Sequence, residues 1–367
     1  MSPAQKYMMY KKRIFIAALL ARRYSTGFSN SPSKTPSLAH TAGLFYCSQG
    51  ESFHSMAGKK SMSTRIVQEA KTHSITPATQ KILDASAQIR LDSATRDNAV
   101  FQHVVMCNLN MPRSRTDARI FERVYERPGF RCSLSVEAGR LFTGERFEEQ
   151  PLPYGIKPRL IFIHLVTSAI KTNSPEVPVA ATLRQFMLQL GIAPQGSEYK
   201  SFRKQMMSLA ASKFVLGMKY PDGRIVNLNS TPIESIEAWV SPDSSDKTPW
   251  PGIMTLSKSF FESLKGCLVP MDERAVSALD GSLELDIYFW LAQRLHRISD
   301  GQGQFVTWLA LREQFAPDYS TVSSFKQQFL RALRQVHRVY PDAELNYLRD
   351  DRGIWLYASR PPIPYLL

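Results

Sequence analysis

Residues 321–340 read TVSSFKQQFLRALRQVHRVY, and the fold follows from this stretch and its echo earlier in the chain. Val322, Phe325, Phe329, Leu333, Val336 and Tyr340 recur at intervals of three or four, the period of one helical face. The opposite side carries Gln327, Gln328, Arg331, Arg334, Gln335 and Arg338. A helix of this kind buries its apolar stripe and turns the other side to solvent. The pattern therefore predicts a helix over 321–340 with a basic outward face.

On the N-terminal side, residues 283–298 form an amphipathic segment (Leu285, Ile287, Trp290, Leu291, Leu295). Asp300-Gly301-Gln302-Gly303 then turns the chain into a shorter helical segment, 308–315. On the C-terminal side, 345–348 and 354–357 flank Asp350-Asp351-Arg352-Gly353 and read as a hairpin. Three helices and a hairpin, with the third helix basic, is the order of a winged helix, a relative of the helix-turn-helix whose hairpin is the wing.

The same order occurs about 123 to 126 residues earlier. Pro153-Tyr154-Gly155 signals a turn, and an apolar run follows from Leu160 to Val166. Periodicity alone does not separate a helix from a buried strand there. The run continues through Ala169 and Ile170, and Pro158 suits a first helical turn, so a helix is expected. Thr172-Asn173-Ser174-Pro175 breaks it. Leu183, Phe186, Met187 and Leu190 predict a second helix, with Gly191 as its C-terminal cap. A third, over 197–212 with Ser197 as N-cap, places Phe202, Met206, Leu209 and Ala210 on one side and Lys200, Arg203, Lys204 and Ser208 on the other. Phe214-Val215-Leu216 and 224–228 flank Pro221-Asp222-Gly223 and predict a hairpin. The two third helices share spelling, Ser201-Phe202-Arg203-Lys204-Gln205 over Ser324-Phe325-Lys326-Gln327-Gln328, which suggests an internal duplication.

The expectation is an α+β, mainly helical chain of two tandem winged-helix domains with wing hairpins, at 100–250 and 251–360, with the boundary in a linker at 241–251. A helix is expected over 77–96 and a short strand pair within 118–142. Residues 25–65, rich in Ser, Thr, Gly and Lys, have the composition of a disordered segment. The chain is thus read as beginning with a flexible basic leader, 1–75.

Charge supports an anionic partner but must be located. The net charge is +14, yet residues 1–75 hold eleven Lys or Arg against two Asp or Glu, which leaves +5 for residues 76–367. So small a net over so long a span makes the placement of cations on helix faces the deciding matter. Cys47, Cys107, Cys132 and Cys267 are too scattered for a disulfide framework or a thiolate zinc site, and a reducing, cytoplasmic setting is expected. The apolar run 14–21 lies between Lys11-Lys12-Arg13 and Arg22-Arg23 and is far short of the roughly 18 residues of a membrane span. It also lacks a small-residue cleavage site, so a signal peptide is the lesser reading. A leader, or sequence upstream of a start at Met56 or Met62, is the favoured one.

Several landmarks together resemble the RepA-type replication initiators of bacterial plasmids. They are Met111-Pro112, Phe130, Ser133-Leu134-Ser135, Ala138-Gly139, Pro153-Tyr154-Gly155, Pro158-Arg159-Leu160, Thr172-Asn173-Ser174-Pro175, Phe186, Leu190-Gly191 and Gln205-Met206. The resemblance spans roughly 105–360. This chain departs from the family pattern at Val179-Ala180-Ala181, where members carry Gly or Ser, and in reducing a Gly-rich loop to Gly196. The resemblance implies binding to repeated sites in double-stranded origin DNA, recruitment of host helicase or initiator proteins, and a monomer–dimer balance that controls copy number.

In a winged helix the third helix enters the major groove, about 12 Å wide, where Arg bonds guanine through two N–H groups. The candidate DNA-binding residues are therefore Gln327, Gln328, Arg331, Arg334, Gln335 and Arg338 in the second module and Lys200, Arg203 and Lys204 in the first. Wing residues Lys219, Arg224, Arg349 and Arg352 are candidates for backbone or minor-groove contacts. Asp350 and Asp351 would oppose phosphate. The plain alternative is a solvated surface face. His164 and the tryptophans Trp290, Trp308 and Trp355 read as core, and His337 as a cation at a helix C-terminus or a phosphate contact.

No catalytic pattern is found. A rolling-circle nickase needs a His-hydrophobe-His metal pair, which none of the seven histidines forms. Gly58-Lys59 lacks the earlier glycine of a phosphate-binding loop and is followed by Lys60. No cofactor is expected. A winged-helix transcriptional repressor remains an alternative, as does, less favoured, a primase or nickase.

Overall fold

The computed structural model describes residues 76–115, 123–127, 132–219, 222–239, 250–299 and 301–363. The expected leader, both candidate start methionines and most of the expected linker lie outside the described residues. The chain divides into two units, Met1–Thr72 and His73–Leu367, and every described residue belongs to the second.

Thr76 caps α1 (Pro77–Leu91) by accepting the N–H of Thr79 at 3.2 Å. The helix ends at Leu91, where Asp92 is extended, so the expected C-terminal part up to 96 is not helical. β1 (Ala99–His103) runs into α2 (Val104–Asn108), with His103 as the cap residue. The strand pair expected within 118–142 is present as β2 (Val124–Arg127) and β3 (Cys132–Glu137), with Val124 opposite Glu137. β4 (Arg140–Phe142) and β5 (Phe147–Glu149) follow as a small hairpin.

α3 (Ile156–Thr172) resolves the helix-or-strand ambiguity in favour of the helix and ends at Asn173 in the left-handed conformation, φ 50. β6 (Glu176–Pro178) leads to α4 (Leu183–Gln189), followed by Gly191, and then to α5 (Gly196–Ala211). Gln195, not Ser197, holds the cap position of α5, without a side-chain cap bond. β7 (Lys213–Lys219) and β8 (Ile225–Ser230) form the hairpin expected around 221–223. β9 (Ile233–Trp239) and β10 (Trp250–Leu256) come next.

α6 (Lys258–Leu264), β11 (Leu268–Asp272) and α7 (Glu273–Ala278) precede α8 (Ser282–Arg294), which passes into a 3-10 turn at Leu295–Arg297 rather than continuing as α-helix to 298. β12 (Gln304–Thr307), α9 (Trp308–Phe315), α10 (Val322–Val339), β13 (Leu345–Asn346) and β14 (Gly353–Leu356) complete the order.

Strand pairing corrects the first module. β7 and β8 belong to a four-stranded sheet, β2-β3-β7-β8, while β6 pairs with β10, whose other neighbour is β9. The order β6-β10-β9 is the counterpart of β12-β14-β13 near the C-terminus. The pair that returns to the helices of the first module is therefore β9–β10, and β7–β8 is an insertion before it. Pro221-Asp222-Gly223 is a sound turn signal, and nothing in it says which sheet the two strands join.

The expected domain boundary is corrected by the same pairing. Trp250 pairs with Trp239 and Ile253 with Pro178, so a cut at 250/251 falls inside β10. The two modules also share one continuous apolar core, and β1 joins β11 by five residue pairs from Ala99↔Asp272 to His103↔Leu268.

Candidate nucleic-acid interface

α10 takes its shape from its stripe. Phe325, Phe329, Leu333, Val336 and Tyr340 are all buried, with Phe329 edge-on to Trp308 at 6.0 Å and to Phe315 at 5.4 Å. Thr321 caps the helix through the N–H of Ser324 at 3.2 Å. The eighteen residues span about 27 Å. On the far side Gln327, Gln328, Arg331, Arg334 and Arg338 are exposed and Gln335 is half-buried. Gln327, Arg331, Arg334 and Arg338 follow at steps of four, three and four, a single outward line. The helix contains no Asp or Glu, and neither Arg331 nor Arg334 is held in an ion pair among the described residues. Arg338 donates to the Gln335 side chain at 2.9 Å, and exposed His337 approaches the Ala343 carbonyl at 3.2 Å.

The β13–β14 tip stands beside this face. Lys326 reaches from the first turn of α10 to the Asp351 carbonyl at 3.3 Å and lies over Trp308 at 5.3 Å. The sequence pattern did not single out Lys326, which sits at the flank between the apolar stripe and the basic line. Arg352 clamps Asp350 through Nε and Nη2 at 3.0 and 2.7 Å while 81% of its own side chain stays exposed. Those hydrogen bonds, with one from the Arg352 backbone, hold the Asp350 carboxyl down to about 2. Its charge is thus already matched, which weakens the expected opposition to phosphate. Arg349 stacks over Trp355 at 4.5 Å. Trp355 is half-buried and faces this guanidinium, unlike Trp290 and Trp308, which are core.

α5 repeats the plan on a smaller scale. Phe202, Met206, Leu209 and Ala210 are buried, Lys200 and Lys204 exposed, and Arg203 half-buried. Ser208, placed on the outward side by the sequence pattern, is fully buried and donates to the Lys204 carbonyl at 2.8 Å. Beyond Lys204 the outward line becomes Met207 and Ala211, both half-buried. β4 packs on this end, and Gly139 lies so close that a Cβ there would meet the Ala211 carbonyl. The basic face is confined to the first half of the helix. Lys219 and Arg224 are exposed but lie at the β7–β8 turn. β7 starts next to the C-terminus of α5, so Lys219 is about 20 Å further along the strand. They are not part of the pair that corresponds to β13–β14.

Four of the landmarks, Met111-Pro112, Pro153-Tyr154-Gly155, Pro158-Arg159-Leu160 and Gln205-Met206, converge elsewhere, on a buried hub. Arg159 and Asp286 are each 2% exposed and joined by two bonds, Nε to Oδ1 at 2.7 Å and Nη2 to Oδ2 at 2.8 Å. The remaining guanidinium N–H groups donate to the carbonyls of Met111, Pro112 and Gly155 at 2.6, 3.1 and 2.6 Å. Gly155 has φ 81, a conformation open to glycine. One residue earlier, the Tyr154 N–H donates to the Gln205 side chain of α5 at 2.7 Å. Met-Pro, Pro-Tyr-Gly, Arg159 and Gln205 thus form one hydrogen-bonded framework that joins α3, α5 and α8.

Residues 152–309 match the family model of the plasmid encoded RepA protein. The resemblance read from the sequence is shown over that span. The RepA match takes in α3 to α8, with Arg159, Asp286 and the whole of α5, and ends at the start of α9. α10 lies beyond it. Among solved structures, a crystal structure of domains 2 and 3 of RctB is 13% identical, covers 64% of this chain and 83% of its own, and has a TM-score of 0.43. A second RctB domain 2–3 structure is 13% identical, covers 70% and 83%, and has a TM-score of 0.39. No curated protein matches the chain.

Among the described residues no group of His, Cys, Asp and Glu could hold a metal ion, and no helix is long and apolar enough to cross a membrane. Cys107 and Cys267 are free, and burial pushes the Cys267 thiol, and more strongly Cys107, upward.

Proposed function

We propose that the protein is a plasmid replication initiator that acts in the cytoplasm by binding repeated duplex sites in the origin, and that it does so by binding rather than by catalysis. In this reading α8 to β14 is one winged helix and α3 to β10, interrupted by β7–β8, is the other. The single observation that carries it is the outward line Gln327, Arg331, Arg334 and Arg338 on α10: four long donors, no carboxylate, and a buried stripe directly behind them. Such a line fits the major groove, where Arg and Gln find base-edge acceptors. α5 supplies Lys200, Lys204 and Arg203 to a second half-site, and Arg349 and Arg352 meet the backbone or minor groove. Recruitment of host helicase or initiator proteins and self-association follow from the RepA family reading.

Footprinting the full chain over the plasmid region that carries its gene tests this. Protection of several direct repeats, lost when Arg331, Arg334 and Arg338 are all changed to Ala, is the expected result. Protection confined to a promoter would transfer the reading to repression, and no protection at all would end it.

A further inference from the structure

We propose that Leu348, at the tip of the β13–β14 hairpin, is a wedge that enters the minor groove beside α10 and opens a base step. The inference rests on α10 lying in a duplex groove. Leu348 is 87% exposed, more than any other large hydrophobic side chain among the described residues. A lone exposed leucine is ordinary on a protein surface, so its setting has to carry the argument.

That setting is built. Asn346 accepts the N–H groups of both Leu348 and Arg349, at 3.0 and 2.9 Å, which fixes the turn that points the leucine outward. Arg349 is pinned over Trp355 and donates to the Tyr357 hydroxyl at 3.2 Å. Arg352 is pinned by Asp350. The tip is tied to α10 and α9 through the Asp351 carbonyl, which accepts from Lys326 and from the Trp308 indole at 2.9 Å. A tip whose Asn346, Arg349, Asp350, Asp351 and Arg352 are all held by hydrogen bonds, yet which leaves its aliphatic side chain without cover, is arranged for an outside partner.

Charge selects DNA as that partner. Around Leu348 stand Arg349, Arg352 and Lys326 against Asp350 and Asp351, a net positive tip whose first carboxylate is already engaged and whose second lies 3.7 Å from Lys326. An aliphatic side chain flanked by arginines is how minor-groove proteins unstack a step while cations meet the phosphates on either side. The other exposed apolar pair, Phe142 and Phe147, is different. The two rings cover one another at 5.4 Å, and their hairpin carries Glu145, Glu148 and Glu149 against Arg140 and Arg146.

The test uses the duplex that the full chain itself enriches from a randomised library of about 30 base pairs. 2-Aminopurine is placed at successive steps of that duplex, and affinity is followed in parallel. Native protein should raise the fluorescence at one step. Leu348→Ser should abolish that rise while weakening affinity by no more than about tenfold, and Leu348→Met should keep it. A rise that survives Leu348→Ser, or no rise with native protein bound, overturns the wedge and leaves the leucine to a protein contact. Failure to enrich any duplex would instead remove the reading of α10, and the wedge with it.

Discussion

α5 and α10 occupy the same place in two copies of one element order, yet they present unequal surfaces. α10 offers Gln327, Arg331, Arg334 and Arg338 along almost its whole length. α5 offers Lys200 and Lys204 and then passes beneath Gly139 and β4. The hairpins differ in the same sense. β9 exposes Glu234 and Glu237, whereas the β13–β14 tip carries Arg349 and Arg352. A helix-and-hairpin scaffold leaves its outer face open to any use. In the first module β4 and the Gly139 backbone cover the second half of α5, and β9 presents carboxylates in place of arginines. The second module keeps that face free.

The comparison breaks first at the hub. If α5 is held in place by the framework around Arg159, then Arg159→Ala or Asp286→Ala leaves an unpaired buried charge and should cost about 3–5 kcal/mol of stability in urea unfolding. A joint replacement by Met and Leu should recover most of it. Full stability of either single variant would mean that the hub does not organise the module.

The joint between the modules is expected to be sensitive to acid. His103, on β1, is 4% exposed, accepts the Val105 N–H at 3.2 Å and lies 5.9 Å from the Phe260 ring; burial lowers it from 6.5 to about 4. The folded state thus holds the neutral ring while the unfolded chain takes up a proton near pH 6.5. Stability from this group is complete above pH 6.5 and falls as the pH drops, by about 3 kcal/mol near pH 4. Unfolding midpoints of native protein and His103→Asn across that window check it. Parallel curves would remove His103 as the cause.

Binding measurements sharpen the contrast itself. Arg334→Ala should weaken duplex affinity by about 1–3 kcal/mol if that guanidinium reads a base, and Lys204→Ala by less than about 1 kcal/mol, since it would lose a phosphate contact alone. Equal losses would erase the difference drawn between the two helices. The smallest effect is in the salt dependence. Each phosphate-contacting cation removed should lower the slope of log affinity against log salt by about 0.9, and Lys200→Ala and Lys204→Ala should each do so without altering sequence preference.

The periodicity of 321–340 was enough to place α10 and to turn its arginines outward, because a stripe of large apolar side chains at helical spacing has one way to be buried. The same reasoning found α3, α4 and α5 and the strand pair β7–β8. It misplaced Ser208, whose small side chain fits a buried site once its hydroxyl bonds the preceding turn. Trp355 was misread for a related reason, since an aromatic on a strand can serve as a platform for a guanidinium as readily as core.

What lay beyond the sequence was pairing at a distance. Nothing local in 213–219 or 225–230 says that β7 and β8 join β2 and β3, and nothing local at Trp250 and Pro251 says that they open a strand that closes on β6. Arg159 and Asp286 stand 127 positions apart, and only the packed α3 and α8 bring the two charges into one dry site. Local sequence determined which elements form and which side of each is apolar, because helical and strand periods are written residue by residue. The tertiary structure decided which strands meet and which basic faces stay open, because those outcomes depend on contacts between segments far apart in the chain.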